Sequence, residues 1–160
     1  MTNRIMNSLA ALALVALAGT AGAQNTQTIN FSVAAINQIA VTGTVTLDIT
    51  TATAGSAPTS ASDNASKWAV TTNQSGAKIS ASLDSDMPSG LTLKVNLAAP
   101  TGATSTLAQT LSSGSVDLVT GVSHVAEGNL SMTYTLDATA TAAVVAAGTR
   151  TVTYTISGGA

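Results

Sequence analysis

The chain has 160 residues, no cysteine, five basic and seven acidic residues, and a formal net charge of −2. Beyond residue 23 only Lys67, Lys78, Lys94 and Arg150 are basic, against Asp48, Asp63, Asp84, Asp86, Asp117, Glu127 and Asp137. That balance leaves no basic groove for nucleic acid and no polybasic patch for an anionic membrane surface. The missing cysteines exclude disulfides, thiolate catalysis and a lipidated N-terminal cysteine, so packing and hydrogen bonds must hold the fold together.

Residues 1–23 read as a secretory signal peptide. Arg4 supplies the basic start, Leu9–Ala18 the apolar segment, and Ala21-Gly22-Ala23 the small-residue cleavage pattern. An apolar run of ten residues is well short of the roughly 20 that span a bilayer. The expected mature chain, 24–160, is therefore exported, extracellular or cell-surface, and not inserted in a membrane. Its length suits a single domain. It carries 25 threonines and only eleven charges. Threonine is β-branched and polar, so it suits the wet face of a strand.

The first mature stretch has the strongest pattern. Ile29, Phe31, Val33, Ala35, Asn37, Ile39, Val41, Gly43, Val45, Leu47 and Ile49 occupy alternate positions, with mostly polar residues between them. Period two predicts half-buried strand. The row is long enough for two strands, broken near Ile36–Gln38 or Thr42–Gly43. Residues 50–66 read as a long polar loop. Trp68 and Val70 mark a short strand ending at Asn73, and Gln74-Ser75-Gly76 turns the chain. Ala77, Ile79, Ala81 and Leu83 form the next inward row, with Lys78, Ser80 and Ser82 outside. After the turn-rich 84–90 come Leu91, Leu93, Val95 and Leu97. Residues 98–114 are ambiguous, with a short strand predicted at Leu107–Leu111. Val116 and Leu118 flank an outward Asp117. Leu130, Met132, Tyr134 and Leu136 make another row, Ala142–Ala147 is a helical turn or a loop, and Val152, Tyr154 and Ile156 close the series. The segments 131–136 and 151–156 share a Thr-out, apolar-in pattern.

Roughly eight short, mainly antiparallel strands with turns between them predict an all-β fold. A β-sandwich fits best, with a small β-barrel as the alternative. Phe31, Trp68, Tyr134 and Tyr154 all fall on apolar rows and are expected in the core. No exposed aromatic platform is expected.

Few residues offer chemistry. His124, the only histidine, sits three residues before Glu127, but two ligands do not make a zinc site. Any serine triad would have to use His124, and no G-x-S-x-G elbow is present. Asp84-Ser85-Asp86 resembles a calcium loop only in its paired carboxylates, and a solvated turn explains it better. Lys78 and Lys94 lie opposite their apolar rows, which argues against a buried Lys–Asn cross-link. Asn64, Asn73 and Asn129 open glycosylation sequons. No catalytic residue, cofactor or metal ligand is assigned, and the chain is not expected to be an enzyme.

Taken whole, the mature chain resembles the secreted β-sandwich subunits of microbial surface fibres and coats: pilin-like, spore-coat-U-like and TasA-like proteins. The likeness rests on its Thr/Ala/Gly-rich texture, the opening Thr28-Ile29-Asn30-Phe31-Ser32-Val33 and the closing Arg150-Thr151-Val152-Thr153-Tyr154-Thr155-Ile156. The chain departs from chaperone–usher pilins and coat-U proteins in having no cysteine, and Ser157-Gly158-Gly159-Ala160 carries no aromatic. The resemblance implies a self-assembling homopolymer, with a periplasmic assembly factor as a further partner. Subunits would be joined by a terminal strand donated from one to the next. Residues 24–35 would be that strand, with Ile29, Phe31 and Val33 as its anchors. The same segment also reads as the first strand of its own sandwich. A cell-surface adhesin or carbohydrate-binding module using loops 50–66 and 98–114 is the alternative function.

Overall fold

The computed structural model describes Gly22 and residues 24–159. The expected signal peptide lies almost wholly outside the described residues. The chain divides into a unit that ends at Ser32 and one that begins at Val33. In the first, residues 24–32 form no strand and are exposed. The second is an all-β sandwich of two antiparallel sheets that do not close into a barrel, with no helix among the described residues.

One sheet runs β1 (Asn37–Thr42), β3 (Lys67–Thr72), β9 (Val125–Ala138), β5 (Leu91–Leu97) and β7 (Gln109–Thr110), with β2 (Ala61–Asp63) also paired to β9. The other runs β10 (Val152–Ser157), β4 (Ala77–Leu83), β8 (Val116–Val122) and β6 (Thr104–Ser105). The alternating rows become the inner faces. Trp68, Val70, Val95, Leu97, Met132 and Tyr134 from the first sheet pack with Ala77, Ile79, Ala81, Leu83, Leu118, Val119 and Val122 from the second. Lys78 and Lys94 do lie outside, in surface ion pairs with Asp117 (3.0 Å) and Asp137 (2.8 Å).

The opening row makes one strand rather than two. It enters β1 at Asn37 and leaves after Thr42, because Gly43 takes φ +108° and a Cβ there would lie 2.8 Å from Ser66 Oγ. A left-handed residue packed this closely can only be glycine, and it ends the ladder. Residues 43–50 continue the alternation without joining a ladder, and Val45 and Leu47 still pack on the core. The predicted loop 50–66 contains the Ala52–Pro58 bridge and β2. Residues 142–147 form a loop.

Bulges account for the other differences. Trp68 faces Leu130 but Val70 faces Glu127, so Gly128 and Asn129 together oppose a single residue. Asn129 takes φ +58° there. The extra residue switches the inward parity of β9 from odd (Val125) to even (Met132, Tyr134). This is the expected effect of a bulge, and it hides the true start of a strand that runs from Val125. Register shifts at Ile79 likewise let Leu118 and Val119, adjacent in sequence, both bury in β8. In place of the predicted strand at Leu107–Leu111 there are two two-residue strands, β6 and β7, one in each sheet. Leu107 between them is exposed at φ +66°, while Leu111 is buried.

Candidate assembly interface

The aromatics do not all go inside. Trp68 and Tyr134 are buried and Tyr154 is half-buried, but Phe31 is 92% exposed. The expectation of a core Phe31 is corrected. It belongs to a row in which Ile29 is 74% and Val33 80% exposed, and no strand begins before Asn37 among the described residues. Exposed apolar side chains at this density on an uncharged segment are unusual for a soluble surface.

Residues 34–36, within the second unit, are held by Asn73. Its Oδ1 accepts the N–H of Ile36 (2.8 Å) and its Nδ2 donates to the Ala34 carbonyl (2.8 Å). Its own N–H donates to the Ile36 carbonyl (3.2 Å). One side chain thus satisfies two backbone groups of a segment that lies outside the named strands. Asn73→Ala should leave the fold intact at a cost of about 1 kcal/mol and speed hydrogen exchange at the Ile36 amide, read by NMR. An unchanged Ile36 exchange rate would refute the clamp. The Asn73 sequon is consumed by this role, whereas Asn64 and Asn129 are exposed.

The two flanks of the sandwich differ. On one, the connection between β5 and β8 supplies both β6 and β7, so a single segment edges both sheets. Thr106 Oγ1 donates to the Asp117 (2.8 Å) and Leu118 (3.0 Å) carbonyls, and the Leu111 N–H donates to the Leu93 carbonyl (2.8 Å). On the other flank β1 and β10 are in contact and each ends its sheet. Both are six residues long, pair in unbroken register with one neighbour, and contain no charge or proline. Both therefore lack the devices, short length, bulges, charge or proline, by which edge strands normally guard against pairing with another chain. Their inward rows differ. In β1, Asn37 is polar, Ile39 half-buried and Val41 46% exposed. In β10, Val152, Tyr154 and Ile156 are all half-buried and packed on the core.

Tyr154 also bridges the sheets, its hydroxyl lying 2.5 Å from that of Tyr134 on β9. Burial pushes the Tyr154 phenol well above the usual tyrosine range, and the hydrogen bond to Tyr134 adds to this. Burial also raises Tyr134.

The remaining candidates are occupied with loop structure. Asp84 Oδ1 accepts the N–H groups of Ser85 (3.0 Å) and Thr151 (3.1 Å). Asp86 Oδ1 accepts the N–H of Ser113 (2.6 Å), which holds its carboxyl below the usual range. The Asp86 carbonyl accepts from Arg150 Nε (3.1 Å). Asp84 and Asp86 thus tie the 84–90 turn and the loop at Ser113 to the start of β10. No group of three or more potential metal ligands gathers among the described residues. His124 is exposed in the tight β8–β9 turn at φ +46°, its Nδ1 3.4 Å from Ser75 Oγ. Glu127 instead accepts the Thr101 N–H (3.0 Å), so the two engage different loops. A shallow depression beside His124 is lined by Ile36, Thr71–Asn73, Val125 and Ala126, with no second titratable group.

Sequence spacing picked out Ile29, Phe31 and Val33, but the free edge of β10 had no signal of its own, because an edge strand and a central strand share one alternation. Comparison with protein-family models, with curated proteins and with solved structures gave no match.

Proposed function

We propose that this chain is a non-catalytic, exported structural subunit that assembles with copies of itself into an extracellular filament, matrix or coat by strand exchange. Residues 24–35 are the donated strand. The observation that carries this reading is the exposed, alternating row Ile29, Phe31 and Val33 on a segment that adds no strand to its own sandwich. An apolar row at strand spacing is only half of a strand, and its backbone and side chains are satisfied by pairing with a sheet edge. A head-to-tail contact of this kind does not close on itself, so it propagates as a fibre. The sparse charge and Thr-rich faces fit a subunit packed against many copies of itself.

Negative-stain microscopy of the mature chain at rising concentration tests this. Regular filaments of constant width are expected. Deleting residues 24–35 should leave a folded sandwich that no longer polymerises. Monomers at every concentration, or loss of folding on deletion, would refute the assignment of 24–35 as an exchanged strand.

A further inference from the structure

We propose that the acceptor for this strand is the free edge of β10 in a second copy, an inference that rests on the strand-exchange reading above. Three observations select β10, and a fourth permits the contact. The flank bearing β6 and β7 offers only two-residue edges, already shared by one connection. Between the two open edges, β10 has the complete apolar floor, Val152, Tyr154 and Ile156 at alternate positions, whereas β1 has only Ile39 well placed. The spacing of Ile29, Phe31 and Val33 matches that floor residue for residue, so a strand laid beside β10 sends the three into the layer between the sheets. Finally, neither partner carries a charge, since residues 24–36 and 151–159 contain no Asp, Glu, Lys or Arg. No ion is therefore desolvated when they meet.

Among the described residues no strand pairs with the outer edge of β10. The Thr151 carbonyl accepts the Asp84 N–H (3.0 Å), so the polar groups of Thr151 face β4. Antiparallel ladders alternate, and the register is unbroken from Val152 to Ser157. The N–H and C=O groups of Thr153 and Thr155 therefore also face β4, and those of Val152, Tyr154 and Ile156 face outward. An added strand pairs these six groups and covers three side chains that are only half-buried in the single chain. The donor's Asn30 and Ser32 then lie on the same wet face as Thr153 and Thr155.

Because the chain has no cysteine, introduced thiols report this contact alone. The exported chain is prepared as single variants N30C or S32C in the donor, T153C or T155C on β10, and Q38C or A40C on β1. None of the six replaced side chains contributes to the core. Donor and acceptor variants are mixed pairwise under conditions that give filaments and then oxidised mildly. Disulfide-linked donor–β10 dimers, at least tenfold more abundant than donor–β1 dimers in at least one of the four donor–β10 pairings, are expected. Filaments in which no donor–β10 pairing exceeds the donor–β1 pairings tenfold, or in which β10–β10 dimers predominate, overturn the β10 assignment while leaving strand exchange standing. Absence of filaments and of any dimer, with Trp68 fluorescence reporting a folded chain, overturns both.

Discussion

Trp68→Ala should destabilise the sandwich by about 3–5 kcal/mol, the usual cost of removing a large aromatic from a packed core. Trp68 is 1% exposed and is among the largest fully buried side chains. It sits on β3, between β1 and β9, where the bulge at Asn129 is accommodated. Domains of this size are stable by only about 5–15 kcal/mol, and with no disulfide to restrain the unfolded chain this change alone removes a large share of that margin. Urea unfolding followed by far-ultraviolet circular dichroism reads the effect as a lower midpoint at unchanged slope. Trp68→Phe should cost less than half as much. The indole Nε1 has no hydrogen-bond partner among the described residues, so phenylalanine removes a buried unpaired donor along with the lost volume. A Phe variant as unstable as the Ala variant would show that Nε1 is satisfied in solution.

Alkaline pH should unfold the protein through its tyrosine pair. Tyr134 and Tyr154 are the chain's only tyrosines, and burial raises both phenols above the ordinary value of 10.0. Above about pH 10 the unfolded chain therefore loses protons that the folded chain keeps. The unfolded state then binds fewer protons, so stability falls as pH rises. The contribution of the pair is present in full below about pH 10. It declines above that by up to about 1.4 kcal/mol per pH unit for each tyrosine. Absorbance at 295 nm, which reports tyrosinate, should stay flat above pH 10 and then rise in one step together with loss of circular dichroism. A smooth tyrosinate titration near pH 10 in a chain that remains folded would refute the buried pair. Tyr154→Phe should leave Tyr134 without its 2.5 Å partner and shift the unfolding step. Since Tyr154 belongs to the proposed acceptor floor, the unfolding step should move further up in pH in the assembled state, where an added strand covers that floor.

Part of the candidate interface was legible in the sequence. Ile29, Phe31 and Val33 stand out by spacing alone, because alternation at a segment otherwise polar and uncharged has few other uses. Whether such a row is buried at home or displayed cannot be read from spacing, since both cases need the same residues. The expectation of a core Phe31 failed for that reason. The proposed acceptor side was not legible at all. Val152, Tyr154 and Ile156 alternate as Leu91, Leu93 and Val95 do, yet β5 lies between β9 and β7 while β10 ends its sheet.

Local pattern determined a great deal by itself. It set the all-β class, the inward rows of β3, β4, β5 and β10, the turns at 74–76 and 84–90, and the outward Lys78 and Lys94, but not Ser80, which was expected outside and is buried. These follow from the two-residue period of a strand and the need to bury one face. What only the tertiary structure decided lies where that period breaks or where two distant segments meet. The parity switch at Asn129 and the paired burial of Leu118 and Val119 arise from bulges, which insert a residue without leaving a composition signal. The end of β1 is set by the close approach of Gly43 to Ser66, twenty-three residues on. The open flank of β1 and β10 is set by strand order, a long-range property that no window of sequence contains.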